Sequence, residues 1–132
     1  ISALSGAYEE GAYSSIRIAT SDEDLFGSSH VTSLVLPNRA MVIGVTSRVL
    51  TEITGAGVAG WRIGVAESND RYGANIGLIK DSASNGVTGT PIAYYADTPL
   101  QITAEGGAFV GGQVRLAAHY ILLTPPSIVS QL

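Results

Sequence analysis

From Gln113 to Leu123 the side chains alternate in character: Val114, Leu116, Ala118, Tyr120 and Leu122 share one parity, and Gln113, Arg115, Ala117 and His119 share the other. In an extended chain successive side chains point to opposite faces, so this segment reads as a strand with a core side and a mixed side. The same test on Met41 to Val49 puts Met41, Ile43, Val45, Ser47 and Val49 together, with Val42, Gly44, Thr46 and Arg48 opposite. Shorter alternating or β-branched runs lie at 13–19 (Ile16, Ile18), 31–36 (Leu34, Leu36), 60–66 (Trp61, Ile63, Val65), 75–80 (Ile76, Leu78), 91–95 and 99–104 (Leu100, Ile102). No segment carries a helical stripe of three turns. The 16 glycines fall largely between these runs, where positive φ at turns needs them. These features predict an all-β antiparallel β-sandwich, a jelly roll of about eight strands. An immunoglobulin-like sandwich is the alternative, although its cysteine and tryptophan landmarks are absent.

At 132 residues there is room for one core. Residues 1–12 read as an N-terminal connector, 13–126 as the sandwich and 127–132 as a C-terminal tail, because Pro125 and Pro126 cannot donate to a ladder. The chain begins with Ile1, which fits a piece of something longer. No apolar run approaches the roughly 20 residues of a spanning helix, and the first residues lack signal-peptide features. Neither membrane insertion nor classical secretion is supported.

Charge narrows the function classes. The formal charge of −4 is concentrated at the start, where Glu9, Glu10, Asp22, Glu23 and Asp24 face only Arg17, and residues 29–132 balance. No basic patch exists to displace counterions from phosphates, so nucleic-acid binding is set aside. With no cysteine and only His30 and His119, thiolate catalysis and the usual zinc sets are excluded. The run Asp22-Glu23-Asp24 lacks the ligand spacing of a calcium loop and reads as a hydrated charge run; no metal and no cofactor is expected.

The chemistry-bearing candidates are few. Trp61 could stack on a sugar, but it shares parity with Ile63 and Val65, which favours core packing. Tyr94 and Tyr95 are adjacent in a predicted strand and must point to opposite faces, leaving one exposed. The segment Asn69-Asp70-Arg71-Tyr72 reads as a loop offering amide, carboxylate, guanidinium fork and ring to a polyol; a plain hairpin turn explains it equally well. Asp97, before Thr98-Pro99, reads as a turn former. Arg115 and His119 share a strand face on which Ala117 leaves a shallow space, though a wet sheet face often has no function. Glu52, Glu67, Asp70, Asp81, Asp97 and Glu105 all fall near turns, without the flanking pair that glycoside hydrolysis needs. No nucleophile motif accompanies His119. The expectation is a non-enzyme.

The stretches Leu36-Pro37-Asn38-Arg39-Ala40-Met41-Val42-Ile43-Gly44-Val45, Arg71-Tyr72-Gly73, Tyr94-Tyr95-Ala96-Asp97-Thr98-Pro99-Leu100, Thr103 to Gly112 and Val114 to Tyr120 resemble one family. It comprises the C-terminal domains of fibre and head-spike proteins in alphaproteobacterial prophages and gene transfer agents, a domain of unknown function. The likeness covers about residues 28–126 and lies mostly in strands and turns. Where members carry a small or Asp-Cys pair near Arg62, this chain has Trp61-Arg62, which leaves specificity there open. The resemblance implies a non-enzymatic adhesin tip that binds cell-surface carbohydrate, on the surface of a virion or gene-transfer-agent particle, extracellular after release. It also implies sister chains as partners, in a homotrimer. A structural domain that caps or trimerises a fibre is the alternative, and a capsule depolymerase a more distant one.

Overall fold

The computed structural model describes residues 11–126, so the tail and most of the connector lie outside the described residues. Eight strands follow in order: β1 (Tyr13–Asp24), β2 (Ser29–Leu36), β3 (Met41–Thr54), β4 (Gly60–Val65), β5 (Ser68–Ile76), β6 (Ala83–Ala93), β7 (Thr98–Glu105) and β8 (Gly111–Thr124). Among the described residues there is no helix.

The strands pair antiparallel as β1 with β8, β2 with β7, β3 with β6 and β4 with β5. That is one long ribbon folded at the β4–β5 hairpin, in which Val65 faces Ser68. Rolling the ribbon up adds the β3–β8 and β4–β7 pairings and divides it into two sheets, β1-β8-β3-β6 and β2-β7-β4-β5. This order is the jelly roll, and it replaces the immunoglobulin-like alternative.

The core lies between the sheets. Val42, Val45, Val49, Val114, Leu116 and Ala118 from one sheet meet Leu34, Leu36, Trp61, Ile63, Leu100 and Ile102 from the other, all buried. The β8 alternation holds as read. In β3 it breaks, because the register shifts between Val42 and Gly44. Val42 and Val45 therefore both point inward and Met41 points out, contrary to the single parity expected. The predicted strand at 75–80 is also corrected. Ile76 ends β5, and the segment from Gly77 to Ser82 turns into β6 while Leu78 packs on the core.

Each side of the sandwich is closed by a different device. Where β5 and β6 pass edge to edge, a Cβ on Gly86 would lie 1.9 Å from the Tyr72 carbonyl oxygen, so only glycine permits the approach. Where β1 meets β2, Glu23 points inward and is buried. Its Oε1 accepts from His30 Nε2 at 2.9 Å and its Oε2 from Ser33 Oγ at 2.7 Å. The middle acid of the Asp22-Glu23-Asp24 run is thus a clamp between sheets, not a hydrated charge. An inward charge also discourages foreign strands from adding at an edge.

Candidate functional site

The residues proposed from sequence divide into four places. Trp61 is fully buried, and its Nε1–H donates to the Gly77 carbonyl at 2.8 Å, holding the β5–β6 connection to the core. No face of its ring is open to a sugar, which corrects its inclusion among binding candidates.

Asn69-Asp70-Arg71-Tyr72 is not a loop but the first half of β5. The strand is an edge, with Tyr72 and Ile76 buried inward and polar residues around them. Tyr72 is 2% exposed, so it too is withdrawn as a stacking surface. Its hydroxyl meets the Tyr94 hydroxyl at 2.8 Å, and Arg71 donates to the same Tyr94 oxygen at 2.8 Å with its guanidinium over the ring. Burial, then the Tyr94 hydrogen bond, raises the Tyr72 phenol well above its ordinary value, so it stays neutral. Asn69 turns instead to Arg62, whose Nε donates to Glu105 at 3.0 Å, and Asp70 accepts from Ser68. The segment ties β5 to its neighbours.

Tyr94 and Tyr95 lie just beyond β6, in the connection to β7. Tyr94 is half-buried in the Arg71 cluster, whereas Tyr95 is 81% exposed. Asp97 caps the same corner by accepting from the Asn38 backbone N–H at 2.9 Å, as its turn role requires.

Arg115 and His119 stand, as read, on the outer face of the β1-β8-β3-β6 sheet. Around Ala117 lies a shallow trough of about 450 Å³, bounded by Thr20, Thr46, Arg48, Asn85 and Arg115. A second hollow of about 180 Å³ continues it past Thr46 and Asn85 toward His119 and Val87. Arg115 is held by Asp22 through two hydrogen bonds, 2.7 and 3.0 Å, and this partner keeps the Asp22 carboxyl below its ordinary range. His119 Nε2 meets Thr46 Oγ1 at 3.0 Å. Among the described residues no Phe, Tyr or Trp ring borders the trough, so Arg115 and the exposed Tyr95 are not brought together.

The cross-strand register exposes a feature missed in the sequence. Beyond His119 the outer face of this sheet turns apolar: Ile16 stands opposite Ile121, Met41 opposite Ile121 on the other flank, and Ile18 opposite His119. In the sequence Ile16 and Ile18 signal only a strand, yet they point outward.

No family model matches the chain, and no curated protein matches its sequence. The fold does have counterparts among solved structures. It matches chains of two phage capsids. One, from the cyanophage Pam1 capsid asymmetric unit, aligns with a TM-score of 0.63 at 21% identity over 83% of this chain and 86% of that one. Another, from the acid-stable capsid of Helicobacter pylori bacteriophage KHP30, aligns with a TM-score of 0.56 at 10% identity over 92% and 98%. At such identities the likeness is one of fold. Among the described residues, no group of three or more His, Cys, Asp or Glu could hold a metal ion.

Proposed function

We propose that this chain is a structural protein of a phage-type particle: a single jelly roll that assembles with other chains of that particle. One observation carries the reading. The match to capsid chains spans nearly the whole of both partners, and 83% of 132 residues is about 110, which makes the cyanophage chain about 127 residues long. The likeness therefore takes in most of both chains and is not confined to a shared corner of them. Such a domain acts through its faces, and it needs no reacting group.

The fibre or head-spike placement, and the setting in a gene transfer agent, rest on the sequence resemblance alone. The adhesin role keeps one supporting observation, the highly exposed Tyr95 beside the Arg71–Tyr94 cluster, where a pyranose face and a polar fork would meet. Avidity among many copies would then compensate a weak single site.

The test is composition. Particles banded on a density gradient from the producing cells, analysed by quantitative mass spectrometry, should contain the chain at a fixed ratio to the shell protein. Its absence from banded particles would refute the proposal. A glycan array probed with a multivalent form, with Tyr95→Ala as the control, decides the adhesin role.

A further inference from the structure

The two outer faces of the sandwich differ in kind. On the β2-β7-β4-β5 side, Arg62 stands opposite Thr103 and Val31 opposite Gln101, so apolar and polar residues are interspersed. On the β1-β8-β3-β6 side they are segregated. Asp22, Asp24, Arg48 and Arg115 occupy one end, whereas the other presents Ile16 (74% exposed), Ile18 (60%), Met41 (45%), Val87 (75%) and Leu123 (77%). The register joins them into one patch: Ile16 and Met41 flank Ile121, and Ile18 and Val87 stand in the row of His119 and Gly44. Scattered surface apolar residues need no explanation, but a contiguous group around one imidazole, with Arg39 only at its Leu123 margin, does.

We infer that this apolar half-face is the surface on which a second copy of the chain docks, sheet against sheet. The inference deepens the particle reading and rests on it only for the setting in which copies meet. Area is the first argument. An aliphatic side chain presents roughly 100–150 Å² on the transfer scale. The five exposures then give about 400 Å² per copy, and the partly buried Ile43 and Ile121 add a little to it. Two copies stacked on this patch bury about 900 Å², and the polar row of Thr20, Thr46 and Asn85 as a rim carries the total past the roughly 1,000 Å² of a specific interface.

Charge is the second argument. Among the described residues, Asp22 pairs with Arg115 and Arg48 donates to the Asp81 carbonyl at the far end of the face, Asp24 lies beyond them, and Arg39 borders the patch beside Leu123, so the apolar rows themselves carry no carboxylate, ammonium or guanidinium group for a foreign partner to read. An apolar patch is complementary to itself about a two-fold axis, and such an axis through the patch leaves both charged ends in water. Two twisted sheets then pack as the core sheets do, about 10 Å apart.

The experiment uses the full chain. Light scattering coupled to size exclusion, from low micromolar to near millimolar concentration, should show the mass doubling. Ile18→Lys with Val87→Lys places four unpaired charges in the interface and should weaken association at least about a hundredfold. Val31→Lys with Val35→Lys on the opposite sheet should leave it unchanged. The chain has a single methionine, so the Met41 methyl resonance of the unaltered protein should shift with dilution as the patch opens, without any substitution. A wild type that stays monomeric with a concentration-independent Met41 signal overturns the inference, as does an Ile18/Val87 variant that associates normally. If the monomer still enters particles and the lysine pair abolishes entry, the face belongs to another particle chain and only the second-copy inference falls. If the chain dimerises but is absent from particles, the proposed function falls and the docking surface stands.

Discussion

Replacing Glu23 by alanine removes the clamp between β1 and β2. In the wild type the carboxylate accepts from His30 and Ser33 while almost fully buried. Each such charge-assisted bond is worth about 1.5–3 kcal/mol, against which stands the cost of keeping a carboxylate out of water. His30 retains some exposure and can rehydrate, so a net loss of about 2–3 kcal/mol follows. For a domain of this size the melting midpoint should fall by about 8–12 °C. Burial pushes the Glu23 carboxyl up, but the donors from His30 and Ser33 outweigh it and hold the group below its ordinary value of 4.5. A depressed folded value means that the contribution is complete above 4.5 and is lost as pH falls through the folded value. Urea melts of wild type and Glu23→Ala from pH 7 downward should therefore show a gap that closes in acid. A gap below about 0.5 kcal/mol at pH 7, or one that stays constant into acid, refutes the reasoning.

Further outcomes follow from the packing. Gly86→Ala forces a Cβ against the Tyr72 carbonyl at an impossible separation, and should cost more than about 3 kcal/mol or prevent folding, read by urea melts and the yield of soluble protein. Trp61→Phe leaves the Gly77 carbonyl without its donor and opens a void, lowering stability by about 2–4 kcal/mol in the same melts. Spectrophotometric titration should find one tyrosine ionising only well above pH 10, and Tyr72→Phe should remove that late phase. Because the folded value is raised, the wild type should hold its Tyr72-linked stability below pH 10 and lose it as pH rises toward the folded value.

Much of the fold was legible because the central strands β3, β4, β7 and β8 carry the core, and buried positions impose alternation. β5 and β6 were harder. As edge strands each has few inward positions, so Ser68–Ile76 shows only Tyr72 and Ile76 against a polar background and reads as a loop. Ile76 and Leu78 mimic a strand because both reach the core, Ile76 from the end of β5 and Leu78 from the connection that turns into β6. Parity cannot say which face is inside, since a one-residue shift exchanges them. The bulge at Ile43 and Gly44 makes such a shift within β3, and the outward direction of Ile16 and Ile18 follows only from the register of β1 against β8. The Arg115 and His119 face was readable from β8 alone; the Tyr72–Tyr94–Arg71 cluster was not, because two elements distant in sequence build it.

A cryo-electron microscopy reconstruction of particles from cells encoding this chain bears most directly on its role. The expected map holds jelly-roll density of this size at symmetry-repeated positions, with the Ile16, Ile18 and Val87 face covered by a sister copy. Fully occupied particles with no such density, together with free chain in the supernatant, would contradict the account.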